Sequence, residues 1–188
     1  ETRERRSYFG VNRAKKAGEN WVGLHVPVGR MLPQDFFDLA DIADLYGDGE
    51  VRTTVEQNIV LAGVKDEAVE GLLAHPLLQK FTPFPDNVAA GTVSCTGSQF
   101  CGMATVETKV YAEKFMREIA AVVETPDVVR MHFTGCPNTC AQSQIADIGF
   151  LGVPAKNAAG EPEEGWNIFM GGQIGHLSEI GDIYKEKV

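Results

Sequence analysis

The sequence lacks any apolar run that is long enough to cross a membrane. Glycine, proline or charged residues interrupt its apolar stretches within about ten residues, whereas a spanning helix needs roughly twenty. The sequence also lacks the apolar region of a secretory signal and the serine-rich composition of a transit peptide. We therefore expect no membrane partner.

Cysteine is scarce, with four residues among 188, and this is too few for a scaffold held by disulfides. All four cysteines lie between positions 95 and 140 and are not scattered along the chain. This clustering favours a set of metal ligands over unrelated core thiols.

Basic residues are outnumbered 17 to 26, and the formal net charge is −9. Residues 1–16 nevertheless contain six basic residues against two acidic ones. The six are Arg3, Arg5, Arg6, Arg13, Lys15 and Lys16. Such a segment can bind an acidic protein or an anionic cofactor, or it can be a solvated linker with local ion pairs. The acidic remainder of the chain disfavours nucleic acid as a partner.

Turn signals and periodicity divide the chain into a basic connecting arm (1–17), a first folded unit (18–81) and a second folded unit (82–188). In the first unit, a strand near 21–27, a helix at 33–47, strand segments within 50–62 and a helix at 65–73 give the order β-α-β-α. This order is typical of a small α+β domain of the ferredoxin-like kind. The proline-rich segment at 82–87 predicts a linker.

In the second unit, a helical pattern extends over 105–123, and strand patterns lie at 128–133, 145–153 and 166–170. We expect the inner side of this helix to carry Val106, Val110, Phe115, Ile119 and Val122. The chain as a whole is therefore expected to have an α+β fold.

The cysteines form two pairs, Cys95 with Cys101 (C-x5-C) and Cys136 with Cys140 (C-x3-C). Soft thiolate donors suit an iron–sulfur cluster, and we expect both pairs to lie at strand-to-helix junctions, where backbone N–H groups can face anionic sulfur. Zinc, disulfides and four reduced core thiols remain alternatives. Zinc sites usually have two to four residues between paired cysteines, so the first spacing is unusual for zinc.

The motifs around these cysteines resemble the nitrite/sulfite reductase family. They are CTGSQFCG from Cys95, ETK from Glu107, TGCPNTCAQ from Thr134 and ADIGF from Ala146. Upstream, Arg30 and the stretch RTTVEQNI from Arg52 resemble the ferredoxin-like half domain of the family. The resemblance implies such a half domain, followed by an α/β domain that binds a [4Fe–4S] cluster and siroheme.

The resemblance also implies roles for individual residues. Cys95, Cys101, Cys136 and Cys140 would ligate the cluster, and Cys140 would also bind the siroheme iron and act as the catalytic bridging thiolate. Siroheme contacts are assigned to Arg52, Thr54, Gln57, Asn58 and Asn138.

The loop between the first two cysteines resembles the ferredoxin-dependent, nitrite-reducing branch of the family, which implies the reduction of nitrite to ammonium. Gly171–Gly175 lacks the arrangement of a dinucleotide site, and this favours a protein electron donor, which the resemblance implies is ferredoxin. The likeness to plant and algal enzymes implies the chloroplast stroma, with the cytoplasm as the alternative.

Members of the family are about three times longer than this chain. Such a length exceeds the size of one ordinary domain. We therefore expect a piece from the second half of such an enzyme, lacking the first half and truncated at its C-terminus. Two other functions remain open. One is sulfite reduction with the same cofactors, and the other is a non-catalytic module that is cofactor-free or holds zinc.

Overall fold

The computed structural model describes residues 8–175 and 177–188, and the chain divides into two compact units between Pro85 and Asp86. The predictions for Arg3, Arg5 and Arg6 lie outside the described residues. Both units contain helices and a sheet, in agreement with the expected α+β class. In the described part of the chain, no helix is long and apolar enough to span a bilayer.

Unit 1, which ends at Pro85, is a four-stranded antiparallel sheet with helices. Its elements are β1 (Gly10–Arg13), β2 (Glu19–Leu24), α1 (Pro33–Tyr46), β3 (Val51–Thr53), β4 (Ile59–Lys65), α2 (Val69–Leu73) and α3 (Leu77–Lys80). The strand order is β1-β2-β4-β3. The helix predicted at 33–47 matches α1, whereas the helix predicted at 65–73 begins as a 3-10 turn at Asp66–Ala68.

The core of unit 1 forms because strands and helices each present one apolar side. Alternate residues of β2 and β4, such as Val22, Leu24 and Leu61, are fully buried. They belong to the same buried cluster as Leu39 and Ile42, which are spaced three apart on α1. The unit is therefore a small domain with its own core.

Asp35 fixes the start of α1. Its carboxylate accepts hydrogen bonds from the backbone N–H of Leu32 at 2.6 Å and from the ammonium of Lys80 at 2.5 Å. Burial raises the pKa of Asp35, but the Lys80 ammonium and the Leu32 N–H together outweigh burial and hold that pKa below its ordinary value. The buried carboxylate therefore links the first turn of α1 to the end of α3.

Unit 2, which begins at Asp86, is a mixed five-stranded sheet with one long helix. Its elements are α4 (Asn87–Ala90), β5 (Thr92–Ser94), α5 (Lys109–Ala120), β6 (Met131–Thr134), β7 (Ile148–Lys156), β8 (Pro162–Met170) and β9 (Asp182–Lys185). The order follows the sequence from β5 to β9; β5, β6 and β7 are parallel, whereas β8 and β9 are antiparallel to their neighbours.

Aromatic packing joins α5 to one face of this sheet. Phe133 and Phe150 are register partners on β6 and β7, and their rings stack at 4.3 Å. Phe115 of α5 lies 6.0 and 5.6 Å from these two rings, and Trp166 of β8 meets both edge-on. This aromatic cluster is the core behind the cysteine-bearing edge of the sheet.

The helix predicted at 105–123 is shorter than expected, since α5 extends only from Lys109 to Ala120. Val110 and Val122, which were expected on its inner side, are 54% and 80% exposed, and Ala112 and Met116 are buried instead. Residues 105–108 are not helical because they bond to neighbouring loops. The N–H of Thr105 donates to the carbonyl of Gly135, and the carbonyl of Val106 accepts from the N–H of Ser98.

The strands of unit 2 also differ in extent from the predicted ones. β7 has the predicted length but lies three residues later than expected, and β8 begins four residues earlier than expected, so the turn between them occupies only residues 157–161. Neither α4 nor β9 was predicted, because each has four residues and no clear periodicity of its own.

Candidate metal centre

The two cysteine-bearing loops begin at the same edge of the sheet. Cys95 directly follows β5, and Cys136 lies two residues after β6, which is the parallel neighbour of β5. The carboxyl ends of parallel strands lie together, and this edge is where open α/β sheets bind ligands. The backbone N–H of Cys95 donates to the carbonyl of Phe133 at 2.9 Å, so the ladder continues as far as the first cysteine.

The sulfur of Cys95 bonds directly to the other loop. Its Sγ accepts a hydrogen bond from the N–H of Gly135 at 3.2 Å and lies 3.7 Å from the hydroxyl oxygen of Thr108. The carbonyl of Gly135 in turn accepts the N–H of Thr105 at 2.8 Å. Gly135 precedes Cys136, so these bonds place the first thiol beside the backbone that carries the third.

The first loop is closed by local hydrogen bonds. Gly97 has a φ of +75°, and its carbonyl accepts the N–H of Cys101 at 3.0 Å. A side chain at position 97 would be strained, because its β-carbon would lie 2.7 Å from the backbone nitrogen of Thr108. The carboxylate of Glu107 accepts the N–H of Gln99 at 3.1 Å and that of Lys109 at 3.0 Å. Cys101 is therefore held in a compact turn in which its side chain is partly exposed.

The second loop contains two residues with left-handed backbone geometry. Thr139 has a φ of +50° and Gln142 a φ of +56°, although neither is glycine. The N–H of Thr139 donates to the carbonyl of Cys136, and the N–H of Gln142 donates to the carbonyl of Thr139 at 2.7 Å. This tight course buries Cys136 and exposes Cys140 and Asn138.

After Cys140 the chain returns across the sheet to begin β7. A β-carbon at Gly149 would lie 1.9 Å from the carbonyl oxygen of Ser143, and one at Gly172 would lie 2.5 Å from that of Gln144. Residues 142–146 therefore lie directly against the sheet face that carries His132 and Gly149. We call these residues the return segment. The opposite face carries α5.

The predicted strand-to-helix junctions are only half present. A strand precedes each cysteine pair, but α5 begins eight residues after Cys101, and a three-residue 3-10 turn at Ser143–Ile145 follows Cys140. Among the residues that the structure describes, the backbone N–H that donates to a cysteine sulfur belongs to Gly135 and not to the first turn of a helix. Parallel strands need a connection of about a dozen residues. Between β6 and β7 this connection is a loop and not a long helix.

The chemistry of the donors fits a four-iron cluster. All four cysteines are free thiols in two loops that bond to each other. Across residues 8–175 and 177–188, no three histidine, cysteine, aspartate or glutamate side chains are grouped as they would be around one metal ion. A cubane differs from such a site because its four irons each take a separate thiolate, so the four sulfurs do not converge on one point.

The other predicted contact residues lie in unit 1. Arg52 of β3 bonds to Glu50 at 2.7 Å and reaches Asp48 at 3.5 Å. The side chain of Asn58 is buried; its oxygen accepts the N–H of Val26 at 2.9 Å, and its nitrogen donates to the carbonyl of Glu56 at 3.0 Å. The Asn58 side chain therefore joins its own turn to the backbone of Val26 within unit 1.

The turn from β3 to β4 brings the two remaining predicted residues together. Thr54 accepts the N–H of Asn58 on its hydroxyl at 3.1 Å, and its carbonyl accepts the N–H of Gln57 at 3.2 Å. Gln57 has a φ of +65°. Arg52 also lines an open cavity of about 450 Å³, together with Trp21, Asn20 and Val60.

The described basic residues of the predicted arm also belong to unit 1. Arg13 is the last residue of β1 and forms an ion pair with Asp66. Lys16 pairs with Glu19 at 2.6 Å, and the exposed Lys15 lies beside it. These pairs neutralise part of the local positive charge.

His132 and Gly149 are contacts of the site that the sequence reasoning did not identify. His132 lies in β6, where its Nδ1 is 3.3 Å from the carbonyl oxygen of Gln142. Gly149 was noted only as part of a motif. The signal that could have indicated both is the short connection between two parallel strands, which has to cross one sheet face.

Comparisons with known proteins agree with this architecture. Residues 13–78 match the model of the nitrite/sulfite reductase ferredoxin-like half domain, and residues 87–188 match the nitrite and sulphite reductase 4Fe-4S domain. The NirA protein of Mycobacterium tuberculosis superposes with a TM-score of 0.87 at 27% identity, over 98% of this chain and 35% of that chain.

Curated relatives are more similar in sequence. The chain is 52% identical to the chloroplastic ferredoxin–nitrite reductase of Arabidopsis thaliana, over 98% of this chain and 32% of the relative. It is 48% identical to the ferredoxin–nitrite reductase of Synechococcus elongatus, over 95% of this chain and 35% of the relative. The chain thus spans about a third of the length of these relatives. With its ferredoxin-like half domain and its 4Fe-4S domain, the chain belongs to the nitrite/sulfite reductase family.

Proposed function

We propose that the protein containing this chain reduces nitrite to ammonium with electrons from reduced ferredoxin. The observation that carries the proposal is the pair of bonded cysteine loops at the carboxyl ends of β5 and β6, within the 4Fe-4S domain of the family. Relatives of about half identity are named ferredoxin–nitrite reductases. The reaction consumes six electrons and eight protons per nitrite and yields one ammonium and two waters.

The proposed cluster ligands are Cys95, Cys101, Cys136 and Cys140. A cluster held by these residues would supply electrons one at a time, and siroheme would supply an iron centre for the reduction of the anion. The N–H of Gly135 already donates to the sulfur of Cys95, and hydrogen bonds to sulfur are a usual part of iron–sulfur sites. Cys140 is the exposed cysteine, in agreement with its proposed role as a bridge, because a bridging sulfur must be accessible to a second group.

Contacts to siroheme are proposed for Asn138 in the second loop and for Arg52, Thr54, Gln57 and Asn58 in unit 1. Asn138 is exposed two residues before Cys140, which suits a direct contact. The Asn58 side chain accepts the N–H of Val26 and donates to the carbonyl of Glu56, so it is already occupied, which suits an indirect role in shaping the Thr54–Asn58 backbone. Our division into an arm (1–17), a half domain (18–81) and a cofactor domain (82–188) is likewise proposed.

Metal and sulfide analysis tests the cluster. The isolated whole protein should contain about four acid-labile sulfides and about five irons per chain, four of the irons in the cluster and one in siroheme. Replacing Cys140 by Ser should disturb the siroheme absorbance and the cluster together, because a hydroxyl is a poor substitute for a bridging thiolate. Replacing Cys95 by Ser should damage the cluster first. One zinc per chain without sulfide would instead indicate a non-catalytic module.

Turnover of the two anions tests the substrate. With reduced ferredoxin as the donor, the whole protein should reduce nitrite far faster than sulfite at equal concentrations. The family includes sulfite reductases, so faster turnover of sulfite would contradict the nitrite assignment while leaving the cofactor assignment intact. Both measurements need the whole protein, because we propose that the first half of the enzyme supplies much of the environment of the siroheme.

We propose that ferredoxin docks near the basic segment that includes Lys15 and Lys16. Charge reversal at both lysines should raise the Michaelis constant for ferredoxin at low salt and leave the siroheme absorbance unchanged, since the electrostatic attraction of an acidic partner acts mainly on association. Loss of siroheme in this variant would indicate a role in binding the cofactor. By analogy with its plant relatives, we place the protein in the chloroplast stroma; fractionation of cells would distinguish this location from the cytoplasm.

A further inference from the structure

His132 makes a hydrogen bond to the return segment on the face of β6 that this segment covers. It is 7% exposed, and its Nδ1 lies 3.3 Å from the carbonyl oxygen of Gln142. A carbonyl oxygen only accepts, so Nδ1 carries the proton and Nε2 carries a lone pair. Within residues 8–175 and 177–188, this buried Nε2 has no hydrogen-bond partner.

The protonation state of His132 agrees with this geometry. Burial lowers the pKa of His132, while the backbone carbonyls of Gln142 and Ala141 partly oppose that effect. The imidazole is therefore neutral near pH 7, with its proton on the nitrogen that faces the loop. It acts on the loop as a directed donor and not as a positive charge.

The acceptor residue, Gln142, has a backbone conformation that needs support. Left-handed geometry is unfavourable for a residue with a β-carbon and persists where surrounding contacts impose it. Two of these contacts lie inside the loop, because the N–H of Gln142 donates to Thr139 and its carbonyl accepts from Ile145. His132 is the contact that comes from the rigid sheet.

We propose that His132 is a positioning residue, whose Nδ1–H holds the carbonyl of Gln142 and so fixes the backbone that carries Cys140, two residues earlier. The thiol of Cys140 is the exposed one, so its direction depends on the backbone more than on packing around its side chain. The statement that Cys140 is a cluster ligand rests on the proposed function. The hydrogen bond by which His132 holds the return segment does not depend on the proposed function.

Amide hydrogen exchange in the whole protein tests whether the His132 hydrogen bond stabilises the return segment. A net hydrogen bond contributes about 0.5–1.5 kcal/mol, which corresponds to a change of roughly 2- to 12-fold in an opening equilibrium. Exchange at Thr139, Gln142 and Ile145 should therefore accelerate by about this factor in His132→Leu. His132→Gln should behave similarly, because its amide lies nearer to the position of Nε2. His132→Asn places an N–H near the position of Nδ1 and should restore exchange to within about twofold of wild type.

Thr134→Val is the matched control. Thr134 lies two residues after His132 on the same face of β6, is 1% exposed, and has a hydroxyl without a hydrogen-bond partner in the described part of the chain. Valine has nearly the same shape, and exchange in the return segment should be unchanged. Circular dichroism verifies that each variant is folded, and His132→Gln replaces His132→Leu if the latter is not.

Cluster retention gives the second readout. Acid-labile sulfide should be lost to an iron chelator several-fold faster in His132→Leu than in wild type, whereas His132→Asn should lose it at the wild-type rate. Unchanged amide exchange in folded His132→Leu and His132→Gln, or failure of His132→Asn to restore it, would overturn the hold. Faster exchange with unchanged sulfide loss would overturn the effect on Cys140. A wild-type protein without sulfide would overturn the cluster proposal alone, because the exchange comparison still decides the role of His132.

Discussion

Replacing Gly149 by Ala should lift the return segment off the sheet. The new β-carbon would lie 1.9 Å from the carbonyl oxygen of Ser143 and 2.6 Å from its carbonyl carbon. Ordinary contacts of this kind are about 3.4 Å or longer, so the segment must move by roughly 1.5 Å, and overpacking a well-packed site costs about 1–3 kcal/mol. Ser143 is fully buried and Gly149 lies within a sheet, so little relaxation is available and the upper end of the range is expected.

Urea unfolding of the 188-residue chain measures this cost. Trp21 and Trp166 are its two tryptophans, and a Trp21→Phe background leaves Trp166 as the reporter for unit 2. Gly102→Ala is the matched control because no heavy atom lies within 4 Å of its β-carbon, so its free energy of unfolding should change by less than about 0.5 kcal/mol. If Gly149→Ala matches wild type in stability and in iron content, the return segment does not lie on this sheet face.

Two further changes test the cores of the two units. Asp35→Asn should lower the urea midpoint of unit 1. Because the folded pKa of Asp35 lies below its unfolded value of about 3.9, the stabilisation is complete above that pH and is lost as pH falls through the folded pKa. The urea midpoints of wild type and Asp35→Asn should therefore converge as the pH falls through the folded pKa of Asp35, and a constant difference would refute the pairing with Lys80. Phe133→Ala should cost unit 2 about 3–5 kcal/mol in urea unfolding, whereas Phe100→Ala, whose side chain is 77% exposed, should be nearly neutral; equal effects would contradict the aromatic core.

The sequence predicted elements best where the signal is local. The α1 helix was predicted to within a residue because proline begins it, glycine ends it and its apolar residues repeat at helical spacing. The same rule failed for α5, since Thr105 and Val106 fit a helical pattern but bond to the cysteine loops instead. Hydrogen bonds to distant residues determine where that helix begins, and the periodicity of apolar residues carries no information about such bonds.

The candidate site shows the same limit. Spacing and motif single out the four cysteines as the proposed ligands, because ligand types and their intervals are properties of the sequence. The contacts of His132 with Gln142 and of Gly149 with Ser143 depend on which sheet face the return segment crosses, and no spacing encodes that. In unit 1, Asn58 was predicted as a cofactor contact from its motif, but its side-chain bonds can be seen only after the turn has formed.

The parallel pairing of β5 and β6 also sets an order of assembly. Cys101 and Cys136 are separated by 34 residues that include α5, so the two cysteine pairs become neighbours only when β6 aligns beside β5. Contacts between distant parts of a chain form late, because the loop-closure entropy is lost before they form. Delivery of iron and sulfide should therefore follow the closing of this sheet in time. With the proposed ligand set, a chain deprived of iron should therefore have a formed sheet and four reduced thiols.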